Sequence, residues 1–439
     1  MLLYSTSISN RLRYVISFVG KELFPDPIEI TTDAVQFQAY DGAKINYSED
    51  PFSEAEFHIQ PQGLLFETGV KPQQIECFEL NFHKAFFPSK GDHPFDLFSA
   101  IFYLISRYEE YLPHEKDHYG RYAHYQSLAY KEGFLQQPLV NIWLTDFKKT
   151  LERKYPGLLF KHHTFQCLIT YDIDIAYAYT KKSTLLKWGG YLKDLLKGNW
   201  AELEQRTQVL AGKEKDPYDC FEWLDALHLY CRIKPHYFFL VASKRGEYDK
   251  NTPTSNKALQ ELIGYASQQY KIGIHPSWQS GDDTTLLKEE RDWLEVVADK
   301  EITHSRQHYI RFELPTTFRT LEEIGIEKEF SMGYGTINGF RASVASSYQW
   351  YDLEQERISD LVLYPYCFMD ANAFYEQRYQ PQQAYAELMQ LYQQVKRHSG
   401  LFISIWHNHM LGSHPMFKGW AEMFELFMKE TVYWDAYNS

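Results

Sequence analysis

Three places in this 439-residue chain set titratable side chains directly after a short apolar run. The first is Thr170-Tyr171-Asp172-Ile173-Asp174, with carboxylates at i and i+2. Two acids there are costly to bury unless they bind something. One arrangement uses one carboxylate as a base and the other as a metal ligand, and the plain alternative is a pair of turn or capping acids. The second is Gly273-Ile274-His275-Pro276-Ser277. A neutral imidazole in such a place suits Zn, Ni, Co or Fe, although a lone His is more often a satisfied core or surface residue. The third is Trp406-His407-Asn408-His409. Between them, Thr303-His304-Ser305-Arg306-Gln307-His308 adds two imidazoles and a guanidinium, and Gly339-Phe340-Arg341-Ala342 adds another Arg.

A strand–helix rhythm would bring these runs together. From about residue 160, seven apolar runs read as buried parallel strands: 165–171, 236–241, 272–275, 301–305, 330–332, 361–368 and 401–406. Helical patterns fall at 185–196, 219–230, 256–270, 284–297, 317–324 and 381–397. Such alternation argues a parallel sheet with crossover helices, and seven strands suit a closed or nearly closed barrel. Active sites of these barrels lie at the C-terminal strand ends, where the Asp, His and Arg residues above all fall. Residues 1–160 read differently, as a smaller α+β domain. It has an amphipathic stretch at 8–23, strand-like pieces at 28–31, 55–59 and 63–67, a strongly apolar helix at 96–112 and another helix at 138–155.

Taken in order, Thr-Tyr-Asp-Ile-Asp, Ile-His-Pro-Ser, Phe-Arg-Ala and Ile-Trp-His resemble a divergent set of polysaccharide deacetylase motifs (carbohydrate esterase family 4). The resemblance implies an α/β fold, a distorted seven-stranded β/α barrel at 161–439, preceded by an uncharacterised domain. It also implies a metal-dependent hydrolase that removes acetyl groups from N-acetylated sugars of a polysaccharide or glycan precursor. Carried over residue by residue, Asp172 is the base, Asp174 and His275 are metal ligands, Arg341 positions the base and His407 is the general acid. The family's second motif has another His where this chain has Gln279. The third ligand then falls to His308, with His304 as the alternative, or the metal site is weakened or absent. The implied cofactor is one divalent ion, Zn first, with Ni, Co or Fe also suited. Trp278, Tyr177 and Trp406 are the candidates for a sugar-facing wall. Two other readings remain open: a barrel that binds a glycan or protein without catalysis, and a hydrolase of another amide or glycosidic bond.

Composition narrows the partners. The net charge is −13, from 45 basic against 58 acidic residues, with no long basic run. Nucleic-acid binding draws on a basic face, so a nucleic-acid partner is not expected. Five widely spaced Cys without a CxxC pair argue against a thiolate zinc site and fit a reducing compartment. No segment reaches the roughly 20 apolar residues of a membrane span. The expectation is a cytoplasmic protein acting on a glycan precursor.

Overall fold

The computed structural model describes residues 1–179 and 200–438; the helix expected at 185–196 lies outside them. Near the N-terminus four short strands, β1 (Leu2–Ser5), β2 (Glu29–Thr31), β3 (Lys44–Tyr47) and β4 (Phe57–His58), form a parallel sheet in the order β2-β1-β3-β4. The helix Asn10–Leu23 begins where the Ser9 side chain accepts the Leu12 N–H, which satisfies one of the unpaired donors of a first turn. The helix Leu97–Ile105 is buried along its whole length and is capped by Asp96, whose carboxylate accepts from Ser99 and Tyr47. It stops short of the expected residue 112, because Arg107 turns left-handed at φ 54° and a 3₁₀ turn, Tyr108–Tyr111, follows. The piece at 63–67, expected to be extended, is also a 3₁₀ turn (Leu64–Phe66), entered from Gly63 at φ 93°. A two-stranded hairpin, β5 (Phe78–Leu80) with β6 (His83–Ala85), and the helix Leu139–Lys154 complete this region.

Among the described residues, the remainder is built on one nine-stranded sheet: β7 (Gln166–Ile173), β8 (His236–Leu240), β9 (Lys271–His275), β10 (His304–Ser305), β11 (Lys328–Glu329), β12 (Tyr348–Asp352), β13 (Arg357–Leu363), β14 (Phe368–Met369) and β15 (Leu401–His407). The order is β12-β13-β11-β10-β9-β8-β7-β15-β14, and every pair is parallel except β12–β13. Helices Phe221–Cys231, Lys257–Gln269, Thr284–Ala298, Thr316–Glu323 and Pro381–Arg397 lie between strands as expected.

The ladders describe nine strands and do not establish the expected seven-stranded barrel, closed or nearly closed. The run at 361–368 divides into β13 and β14, and among the described residues no ladder joins the two ends of the sheet. The break falls at Tyr364-Pro365-Tyr366, where Pro365 has no N–H to give to a ladder. By Cys367 the chain already donates to Ile403 of β15. The strand expected at 330–332 lies two residues earlier, at Lys328–Glu329.

The antiparallel β12 forms one edge of the sheet, and the N-terminal region packs on the β12–β13 hairpin. Tyr14 donates to the Gln349 carbonyl and its ring lies 5.0 Å from that of Tyr351, while Asn141 holds the Ala345 amide. One hydrophobic core runs through both regions without interruption.

Candidate metal centre

Register places the chemistry at a single rim. β15 runs beside β7 with His407 opposite Asp172, and β9 runs beside β8 with His275 opposite Leu240, so all of these end together. Side chains alternate across a strand, so Asp172 and Asp174 share a face and Tyr171 takes the other. Tyr171 accordingly bonds His228, on the helix Phe221–Cys231. The acids open instead on a cavity of about 340 Å³ that is also lined by His275, His308 and His407.

Asp174, His275 and His308 offer ligand atoms that all lie within 4.8 Å of one another. His275 Nε2 is 3.3 Å from Asp174 Oδ1 and His308 Nε2 is 4.0 Å from the same oxygen. That oxygen is buried and accepts no hydrogen bond. Each imidazole is held by its other nitrogen. His275 Nδ1 is 2.5 Å from the Arg306 carbonyl, which can only accept, so Nδ1 carries the proton and Nε2 presents a lone pair. His308 Nδ1 is 3.0 Å from Asp249 Oδ1, the carboxylate–histidine pairing that orients metal ligands. Two lone pairs and an unpartnered carboxylate oxygen converging on one point suit a tetrahedral ion such as Zn, with a position left for water or substrate.

The same groups also attract a proton. Burial alone would lower the His275 pKa, yet the charges of Asp172 and Asp174 raise it above its ordinary value. Burial would raise Asp174, but the surrounding imidazoles, His275 first and then His407 and His308, hold it well below the usual carboxylate range. A divalent ion and a proton therefore compete for this triad, and metal uptake should fall as pH falls.

Asp172 is buried, and its Oδ1 accepts from Arg306 Nη1 at 2.8 Å. Arg306 also donates to Thr170 Oγ1 and to the Phe330 carbonyl, and its guanidinium lies 4.4 Å from the Phe238 ring centre. Arg341, expected to position the base, is elsewhere. Its Nε and Nη2 donate to Glu110 at 2.8 and 2.5 Å and its Nη1 to Gly333 O, so all three nitrogens are engaged away from Asp172.

His407 Nε2 is 3.7 Å from Asp174 Oδ2, while its Nδ1 and backbone N–H both bond Asp370. Burial would lower this imidazole. The Asp370 charge and hydrogen bond, with Asp174 and Asp172, outweigh burial and raise it to about 10. The stabilisation this pair gives is fully present below the ordinary imidazole value and is lost as pH rises through about 10. Asp370→Asn removes the larger charge, so the His407 imidazole should titrate at distinctly lower pH, as followed by its NMR shifts. An unchanged midpoint would sink this account.

Gln279 points away from the centre, its side chain donating to the Lys244 carbonyl, and His308 occupies the third place. His304 is not near it. That ring stacks on His236 at 5.4 Å beside Lys234 and Lys271, at the opposite ends of the strands.

The expected sugar-facing aromatics fare unequally. Trp406 is fully buried on the outer face of β15 against Phe424, ring centres 4.5 Å apart. Tyr177 lies buried near Phe221. Trp278 stacks behind Tyr248 at 4.1 Å, and it is Tyr119, Tyr248, Tyr309 and Tyr375 that line the cavity. Strand alternation holds the missed signal for Trp406, since a residue next to His407 must face the other way.

A family model described as a family of unknown function (DUF7033) matches residues 1–156. No curated protein matches the chain. Among solved structures it is similar to an allantoinase, Puue, at 10% identity over 63% of this chain and 85% of that one, with a TM-score of 0.40. It is also similar to the polysaccharide deacetylase Bc1974 from Bacillus cereus, at 11% identity over 61% and 88%, with a TM-score of 0.30. Both scores are below 0.5, so the chemistry of this chain rests on its own geometry.

Proposed function

We propose that this protein is a metal-dependent hydrolase that removes acetyl groups from N-acetylated sugars, with residues 161–439 acting as an opened form of the seven-stranded deacetylase barrel. The observation that carries the reading is the triad of Asp174, His275 and His308 beside a second acid, Asp172, and a third imidazole, His407, held by Asp370. A bare binding module has no use for a metal-shaped triad flanked by a base and an acid.

A divalent ion held by Asp174, His275 and His308 would supply a Lewis acid for the amide carbonyl. Around it the chain's own groups divide the proton work. Asp172, oriented by Arg306, takes a proton from the attacking water as its oxygen bonds the carbonyl carbon. His407, held charged by Asp370, gives a proton to the amine nitrogen as the carbon–nitrogen bond breaks. Acetate and a free amino sugar leave. Groups of unlike pKa on the two sides of a reacting bond are what acid–base hydrolysis at neutral pH requires. The cavity's polar floor and Tyr-rich wall suit a sugar, and a cytoplasmic glycan precursor is the substrate we favour.

Metal analysis of protein purified without chelator tests the premise. About one Zn, Ni, Co or Fe per chain is expected, lost in both Asp174→Ala and His275→Ala. No uptake, even with excess Zn or Co at alkaline pH, would leave a protein that binds without catalysing.

A further inference from the structure

Two residues on the rim occupy backbone conformations that L side chains rarely adopt. Tyr309 sits at φ 59°, ψ 11°, and Ile310 at φ 55°. A β-branched residue at positive φ is a true outlier, and such outliers persist only where their surroundings over-determine them. They directly follow His308, the third ligand, so the turn that holds them also aims that imidazole.

Part of what holds the turn comes from the N-terminal region, beside its own backbone bonds from Ile310 to Gln307 and from Arg311 to His308. Arg121 Nη1 donates to the Tyr309 carbonyl at 2.6 Å, and Arg121 Nε pairs with Asp117 Oδ2 at 2.7 Å. Asp117 in turn closes its own loop by accepting the amides of Tyr119 and Arg121. The Arg121 guanidinium lies 4.7 Å from the Tyr119 ring centre, and that ring packs on Tyr309 at 5.1 Å. The arm passes so close to the barrel-side loop that a Cβ at Gly335 would meet Arg121 Nη1 at 2.0 Å. Arg121 is 3% exposed, so this contact is not a surface ion pair subject to solvent screening.

We infer that Arg121 is a positioning residue for the metal centre: by clamping the Tyr309 carbonyl it fixes the turn that presents His308, which makes residues 117–121 of the N-terminal region a working part of the site. The inference rests on the metal-hydrolase reading above. It gives the region matched by a family model of unknown function a role in chemistry carried out on the other sheet.

The test compares Zn affinity, by competition with a chromophoric chelator, and the visible absorption of the Co²⁺-loaded protein, which reports ligand number and geometry. Full-length wild type, Arg121→Ala and Arg121→Lys are compared, each checked for a cooperative melt. Removing an outer-shell support typically weakens metal binding about 10–100-fold. That loss, with an altered Co²⁺ spectrum, is expected for Arg121→Ala. Arg121→Lys keeps a cation beside Asp117 and one donor for the carbonyl, and should fall between the two. It is the variant to read should the alanine protein not fold. Wild-type Zn affinity and an unchanged Co²⁺ spectrum in the variants would overturn the inference while leaving the metal reading intact. No uptake by wild type would instead remove the metal reading, and this inference with it.

Discussion

Asp172→Asn is expected to keep its full complement of metal and to lose roughly 10²–10⁴ in the rate of acetate release, the usual contribution of a positioned acid or base. The substitution is close to isosteric. Its side-chain oxygen can still accept the Arg306 Nη1 proton, so the buried contact at 2.8 Å survives. What it cannot do is take a proton from water. The remaining carboxylate oxygen of Asp172 is 3.8 Å from His275 Nε2, near the triad but outside it. Metal content should therefore separate the two acids: Asp174 variants lose the ion and Asp172 variants do not. The rate is to be measured on whichever N-acetylated saccharide the wild type hydrolyses fastest, with the melting temperature as control. An Asp172→Asn protein of wild-type rate would remove Asp172 from the chemistry and return the base to another group on the rim.

The acids and imidazoles of this site were legible in the sequence because they stand at or just past the ends of short strands, both acids at the end of β7. A strand end is a local feature, and parallel strands with crossover helices must bring such ends to one rim. Groups that act on them through space were not legible. Arg306 and Arg341 both follow strands, and nothing within either run says which guanidinium reaches Asp172. The answer depends on which strands are neighbours and how far each side chain must extend. Asp249 and Asp370 are single carboxylates with no spacing signal, although Asp370 does close the short apolar run Phe368-Met369. The same limit applies to the fold. Alternation is visible along the chain, whereas the break between β13 and β14 depends on where Tyr364–Cys367 finds hydrogen-bond partners. β1 and β3 passed unseen because four residues each are too few to show a period.

The guanidinium that does not serve Asp172 explains how the two regions are joined, and Glu110→Ala should expose this with a loss of about 3–5 kcal/mol, the usual result of stranding buried charge. Glu110 accepts from Arg107 Nε at 2.6 Å and from both Nε and Nη2 of Arg341. Arg107 also reaches the Arg341 carbonyl and pairs with Glu109. Both guanidiniums are 1% exposed, so without Glu110 the Arg341 charge would sit among Phe312, Tyr334 and Tyr122 with no anion beside it. Burial would raise the Glu110 pKa, but Arg341 and Arg107 bring it down from 4.5 to about 2. A depressed carboxylate contributes its stability above the unfolded value and loses it as pH falls toward the folded one. The gap between wild type and Glu110→Ala in denaturant melts should therefore be full at neutral pH and close between about 4.5 and 2. A gap under about 1 kcal/mol at neutral pH, as exposed ion pairs give, would mean that water reaches this cluster and that the regions are joined by their other contacts, among them Tyr14 on Gln349 and Asn141 on Ala345. A full gap would make the Glu110–Arg341 contact an anchor of the loop at 333–343, the same loop that carries Gly335 into the cavity beside Arg121.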